Sequence, residues 1–98
     1  MSFKDIRAAN RRLAILQFLE GEPDYKMNID MIKQLLAQIG DTVSYVTLNC
    51  DIAWLIEAGC VQAEDVGGIN VVEILSRGVD VGSGAARIEG VARPKASR

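Results

Sequence analysis

The hydrophobic residues at the start of the chain recur at the spacing of an α-helix. A capping Ser2 and the breaker Gly21 delimit a predicted helix over residues 3–20. Its apolar face consists of Ile6, Ala9, Leu13 and Leu16. Ile15 and Phe18 point away from this face. We therefore expect either a C-terminal segment or a second subunit to cover them.

Two further helices are predicted close together. Asn28 caps the first of them, and Gly40 ends it. Its apolar arc is formed by Ile29, Ile32, Leu35, Leu36 and Ile39. Ser44 caps the next helix, which runs to Gly59. That helix turns Leu48, Ile52, Leu55 and Ile56 toward the core. Because only residues 40–43 separate the two, the pattern is typical of a helix-turn-helix.

After Gly59 the pattern changes to that of β-strands. Residues 60–65 and 69–74 flank a Gly67-Gly68 turn, which predicts a β-hairpin. A short helix is expected over residues 75–81. We therefore predict an α+β domain over residues 1–82, with three helices, a hairpin and a short C-terminal helix. A flexible basic tail is expected over residues 83–98.

These elements resemble the winged-helix superfamily of bacterial regulators of the DeoR, MarR and ArsR types. The segment SYVTLNCDIAWLIEAGCV (44–61) is similar to the recognition helix and following strand of DeoR-like proteins, and DVGG (65–68) and LSRG (75–78) continue the resemblance. More narrowly, RRLAIL, DIAWL and GVARP are similar to segments of small winged-helix proteins of Mu-like bacteriophages and prophages. The resemblance implies a winged helix-turn-helix and a phage origin, but no particular activity.

In DNA-binding proteins of this fold, the first half of the recognition helix enters the major groove. Asn49 can pair bidentately with adenine, and Thr47 can contact a phosphate or a thymine methyl group. The basic residues of the tail could follow a DNA groove or backbone. The candidate residues for binding double-stranded DNA are Ser44, Tyr45, Thr47, Asn49, Arg87, Arg93, Lys95 and Arg98.

The charge of the chain argues against DNA binding and leaves a second interpretation open. The chain has 98 residues and a net charge of −2, and residues 21–66 carry two lysines against eight acidic residues. An acidic surface repels DNA, whose non-specific affinity depends on phosphate neutralisation. The alternative is a protein-interaction module that binds a host or phage protein. The basic stripe of Lys4, Arg7 and Arg11 is either a solvated helix face or a phosphate track.

The residue types exclude most catalytic sites. The chain has no histidine and two cysteines, and no motif indicates a cofactor, a metal site or an enzyme. Both thiols are expected to be reduced, with Cys60 as a small buried hydrophobic residue. Asp51 is expected to tie its helix to a neighbouring element.

Location and assembly are further expectations. The chain lacks a long apolar run and a signal peptide at its start, so we expect a cytoplasmic protein of the host cell. Trp54 is interpreted as either a core-edge residue or an interface anchor. A homodimer is expected, with Ile15, Phe18 and Trp54 as candidate interface residues.

Overall fold

The computed structural model describes residues 2–95. In chain order the elements are α1 (Phe3–Glu20), β1 (Lys26–Asn28), α2 (Ile29–Gln38), α3 (Tyr45–Glu57), β2 (Val61–Val66), β3 (Ile69–Ile74) and α4 (Ser76–Ser83). The fold is α+β, as predicted, with four helices and a three-stranded antiparallel sheet among the described residues. None of these helices is both long enough and apolar enough to span a membrane.

The first three helices begin where their capping residues predict. The side chains of Ser2, Asn28 and Ser44 each accept a hydrogen bond from the backbone N–H three residues later, at 3.1, 2.8 and 3.2 Å. These bonds satisfy amides that have no partner within the helix. Gly40 and Gly59 follow α2 and α3 with positive φ angles of 88° and 78°. The predicted limits of these helices are therefore confirmed to within a few residues.

The sheet contains the predicted hairpin and one strand that the sequence does not predict. Strands β2 and β3 are antiparallel, with Val61 opposite Ile74 at one end and Val66 opposite Ile69 at the other. Strand β1 pairs with the other edge of β3. Strand β1 has three residues, too few for an alternating pattern to be recognised. Tyr25, just before β1, adopts a left-handed conformation, and its carbonyl accepts a hydrogen bond from the Ile74 N–H at the end of β3.

Helix α1 is the centre of the core. It contacts the other three helices and strands β1 and β3, so more than one of its faces is covered. Ile15 is fully buried, as are Leu16 and Leu19. Three residues predicted to face the core are exposed instead: Ile6, Ile39 and Ile56 keep 44%, 59% and 44% of their accessible surface. Ile39, for example, is the C-cap residue of α2, just beyond its last turn.

The residues after α4 pack along α1; we call residues 84–95 the C-terminal segment. The Ala92 N–H donates to the Ala9 carbonyl of α1 at 3.1 Å, and Val91 is buried in the core cluster. Pro94 lies against Gly84, so the segment also contacts itself. This packing differs from the flexible tail that the sequence predicts from residue 83. The glycines that suggested flexibility instead allow the backbone to approach its neighbours closely.

Candidate nucleic-acid interface

Helix α3 has one buried face and one exposed face. Leu48, Asp51, Ile52 and Leu55 are buried. On the opposite face Val46, Asn49, Cys50 and Ala53 are exposed, and Val46 retains 74% of its accessible surface. The predicted orientation of this helix is confirmed, with Asn49 facing solvent. Within α3 this exposed face carries no basic side chain, and the acidic Glu57 lies on it at the end of the helix.

The candidate residues at the start of α3 make contacts within the chain. Ser44 caps the helix, and its hydroxyl also lies 3.3 Å from Thr47 Oγ1. The Tyr45 hydroxyl donates a hydrogen bond to Asp30 Oδ1 of α2, and the Lys33 ammonium lies 5.0 Å from the centre of its ring. The bond to Asp30 raises the pKa of the Tyr45 hydroxyl, with smaller contributions from desolvation and the Asp30 charge. These contacts fix α2 against the start of α3.

A cluster of ion pairs lies behind α3 and joins it to α1. Asp51 accepts hydrogen bonds from Arg11 Nη1 at 2.7 Å and Arg12 Nε at 2.9 Å. Asp41, in the turn before α3, accepts from Arg11 Nε at 2.9 Å and Arg7 Nη2 at 2.7 Å. Burial alone would lower the pKa of Arg11, but bonds to Asp51 and Asp41 outweigh it and raise that pKa. The predicted structural role of Asp51 is confirmed.

These ion pairs change the interpretation of the basic stripe on α1. Arg11 is buried. Arg7 is partly exposed to solvent and is paired with Asp41. Arg12 is also paired. The stripe is therefore not simply a solvated face, and three of the four cations of α1 already have carboxylate partners inside the chain.

Trp54 lies at the edge of the core between Arg12 and the C-terminal segment. The Arg12 guanidinium stands 4.3 Å from the centre of the indole ring, a cation–π contact. Arg12 Nη1 also donates to the Gly90 carbonyl at 3.0 Å. Gly90 packs so closely that a Cβ there would lie 2.4 Å from Trp54 Cζ2. These contacts place Trp54 at the edge of the core, as the first of its two interpretations predicts.

The three candidate interface residues pack against other parts of the same chain. Ile15 is fully buried, while Phe18 and Trp54 are half-buried and pack against the same core cluster. Because α1 is surrounded by elements of its own chain, Ile15 is covered without a second subunit, whereas Phe18 and Trp54 keep part of their surface.

The C-terminal segment places its cations beside the first half of α1. Arg87, Arg93 and Lys95 are exposed and line a groove of about 1360 Å³ between the segment and the first half of α1. The fourth candidate of the tail, Arg98, lies outside the described residues.

Comparisons with known proteins identify the chain's origin. No protein-family model and no solved structure matches it. A protein of Escherichia phage Mu, described as "Uncharacterized protein gp26", is 37% identical over 91 residues, which cover 93% of this chain and 94% of gp26. The chain belongs to the gp26 family of Mu-like phages. The phage origin predicted from the sequence is therefore confirmed.

The two thiols of this gp26-family chain lie in different environments, as predicted. Cys50 is exposed on α3, and Cys60 is buried after it; both are free. Burial raises the pKa of the Cys60 thiol, an effect partly offset by the nearby positive charge of Arg77. Within residues 2–95 there is no group of three metal-ligating side chains that could hold an ion.

Two functional features of the gp26-family chain were not found from its sequence. The first is the joint contact of Arg12, Trp54 and Gly90, whose members are distant in sequence. The second is the docking of the C-terminal segment. The sequence does hold one signal for the second feature, because the apolar residues Ile88, Val91 and Ala92 lie among the cations of this stretch.

Proposed function

We propose that this chain is a winged-helix DNA-binding protein of a Mu-like phage. Helix α3 is the recognition helix, and the β2–β3 hairpin is the wing. The observation that supports this proposal most directly is the placement of α3. It begins with a capping serine after a short turn, packs its inner face on α1, and leaves Asn49 exposed in its first half.

The exposed face of α3 suits base contacts better than phosphate contacts. An asparagine amide can donate to and accept from adenine at once, so Asn49 is the proposed base-reading residue. Thr47 is half-buried and contributes its methyl group or hydroxyl at the edge of the surface. The hairpin carries the acidic Glu64 and Asp65 near its tip, so it does not supply phosphate contacts. We expect a modest affinity with a shallow salt dependence.

The first prediction concerns Asn49. Duplexes would be selected from a random pool at low salt, and the affinity of the best sequence would be measured by fluorescence anisotropy. The Asn49→Ala variant should bind more weakly by about 1–3 kcal/mol, because a bidentate base contact is lost. Gln34→Ala, which removes an exposed amide from α2, is the matched control and should bind like the unmodified chain. Failure to select any duplex would contradict the proposal.

A second function, docking onto a host or phage protein, is favoured by one observation. The exposed face of α3 is uncharged until Glu57 at its end, and it includes Val46, whose side chain is mostly accessible. The Ala53→Arg variant separates the two proposals. An added cation on this face would preserve or strengthen DNA binding, whereas it would disrupt an apolar protein interface.

For operator binding we propose a homodimer acting in the host cytoplasm, since two-fold symmetric proteins of this class read paired half-sites. Its contact surface would not be centred on Ile15, which is buried.

A further inference from the structure

The C-terminal segment is attached to the domain at several points rather than at its first residue only. Its backbone is hydrogen-bonded to α1 through Ala92 and to the Arg12 side chain through Gly90. Val91, between them, is 9% exposed. The cations of the segment are therefore carried on docked backbone.

Arg12 is the residue that links the segment to α3. Its Nε donates to Asp51 of α3, its Nη1 donates to the Gly90 carbonyl, and its planar face stacks on Trp54. Its principal donors are therefore occupied, and it is only 18% exposed. Gly90 has a φ of +101°, and a side chain there would collide with the indole ring. Arg12, Trp54 and Gly90 form what we call the bracket.

The bracket and the Ala92 bond set where the segment ends. Ala92 binds α1 at Ala9, midway between Arg7 and Arg11, the two residues that bind Asp41 in the turn before α3. Helical residues two apart differ by about 3 Å along the axis. Along the α1 axis the end of the segment is therefore level with the turn that precedes α3, but Ala9 lies on the side of α1 opposite to Arg7 and Arg11.

The charges of the C-terminal segment favour contact with DNA phosphates. Arg87, Arg93 and Lys95 are exposed, whereas three cations of α1 are paired with carboxylates. The only acidic residue of the segment is Glu89. The exposed face of α3 carries Glu57, and the hairpin carries Glu64 and Asp65, so the segment is the element whose charge complements a phosphate backbone.

We propose that the docked C-terminal segment is the phosphate-binding element of this protein, and that Arg12, Trp54 and Gly90 are its positioning residues. This inference rests on the proposed DNA-binding function. It differs from a mobile arm, because a docked segment is ordered before binding and loses less conformational freedom when it meets DNA.

The test measures duplex affinity over a series of salt concentrations. The Arg93→Ala/Lys95→Ala variant should reduce the slope of log K against log salt by about 1.8, or about 0.9 for each lost phosphate contact. Arg77→Ala is the charge control, because Arg77 lies on α4 and donates to the Ala58 carbonyl. It should leave the slope unchanged.

The bracket is tested by Gly90→Ala. Trp54 is the single tryptophan, so its fluorescence reports whether the segment is docked in the free protein. We expect a red-shifted emission, because the indole becomes more exposed, together with DNA binding weakened roughly tenfold as the segment becomes mobile. Gly21→Ala is the matched control, since Gly21 has an ordinary φ of −77° and room for a methyl group.

The outcomes distinguish the inference from the function on which it rests. If the unmodified chain binds DNA and the Arg93→Ala/Lys95→Ala variant keeps the full salt slope, the inference is wrong and the proposed function stands. Unchanged affinity in Gly90→Ala despite a shifted tryptophan spectrum would overturn the positioning role. If the unmodified chain binds no DNA, both proposals fail. The double variant alters only exposed side chains, so it remains informative even if Gly90→Ala does not fold.

Discussion

Asp51 shows how a single residue can be understood from sequence only in part. It lies between Leu48 and Leu55 on the inner face of α3, and a buried carboxylate there requires partners. The sequence therefore indicates a structural role. It does not name Arg11 and Arg12 as the partners, because they precede Asp51 by 40 and 39 residues and their approach depends on the packing of α1 against α3.

Cys60 leads to a prediction about pH. Burial raises its pKa in the folded chain above the ordinary value of 9.0, so the folded state keeps a proton that the unfolded state releases. Its contribution to stability is complete below the unfolded pKa and is lost as pH rises toward the folded value. We expect the free energy of unfolding to fall as the pH rises above the ordinary thiol pKa, by at most about 1.4 kcal/mol per pH unit from this group.

The measurement is urea unfolding at several pH values in that range. Cys60→Ala should show a smaller decline than the unmodified chain, whatever its stability at neutral pH. Cys50→Ala is the control, because that thiol is exposed on α3 and its removal should leave the decline in place. Parallel declines in all three proteins would show that Cys60 makes no such contribution.

At the scale of elements, α4 depends on a glycine for its position. Gly78 is buried where α4 begins, and a Cβ there would lie 2.2 Å from the Cys60 carbonyl oxygen and 2.7 Å from Ile74 Cγ1. Because the first of these atoms belongs to the backbone, a rotamer change cannot relieve the contact. The short helix was predicted from sequence, but the need for glycine at this position arises only from its approach to the residue before β2.

Gly78→Ala should therefore destabilise the chain by about 1–3 kcal/mol, with α4 displaced from α1. Thermal and urea unfolding would measure the loss. Gly21→Ala provides the comparison, since it adds the same methyl group in ordinary van der Waals contact and should be close to neutral. Equal stability of the two variants would contradict the close approach of α4.

The hairpin and β1 illustrate the limit of element prediction. The Gly67-Gly68 turn is a local signal, and both glycines have the positive φ that such a turn requires. Strand β1 has no comparable signal, because its pairing with β3 joins residues 26–28 to residues 71–73. Local patterns therefore predict the hairpin, whereas the third strand depends on a long-range contact.

At the scale of the whole molecule, the C-terminal segment completes the domain. Val91 is buried, and Gly90 covers the indole of Trp54. Removing residues 85–98 would uncover both sites, whereas removal of a mobile tail would leave stability unchanged.

We expect this truncation to lower the free energy of unfolding by about 2 kcal/mol or more, the scale of one exposed core residue. In a chain of this size that corresponds to a fall in Tm on the order of 10 °C. Calorimetry would measure it. The full-length Arg93→Ala/Lys95→Ala variant is the control, because it removes charge while keeping the packed backbone. An unchanged Tm after truncation would contradict the docking.

The sequence by itself determined the helices, their caps, the hairpin and the exposed face of α3, because these depend on residue spacing and local hydrogen bonds. It also carried the resemblance to proteins of Mu-like phages, and the phage relative confirms that phage origin. The tertiary structure decided which charges remain available. It paired Arg7, Arg11 and Arg12 with carboxylates and placed the C-terminal cations along α1, because ion pairs and docked backbone join residues that are distant along the chain.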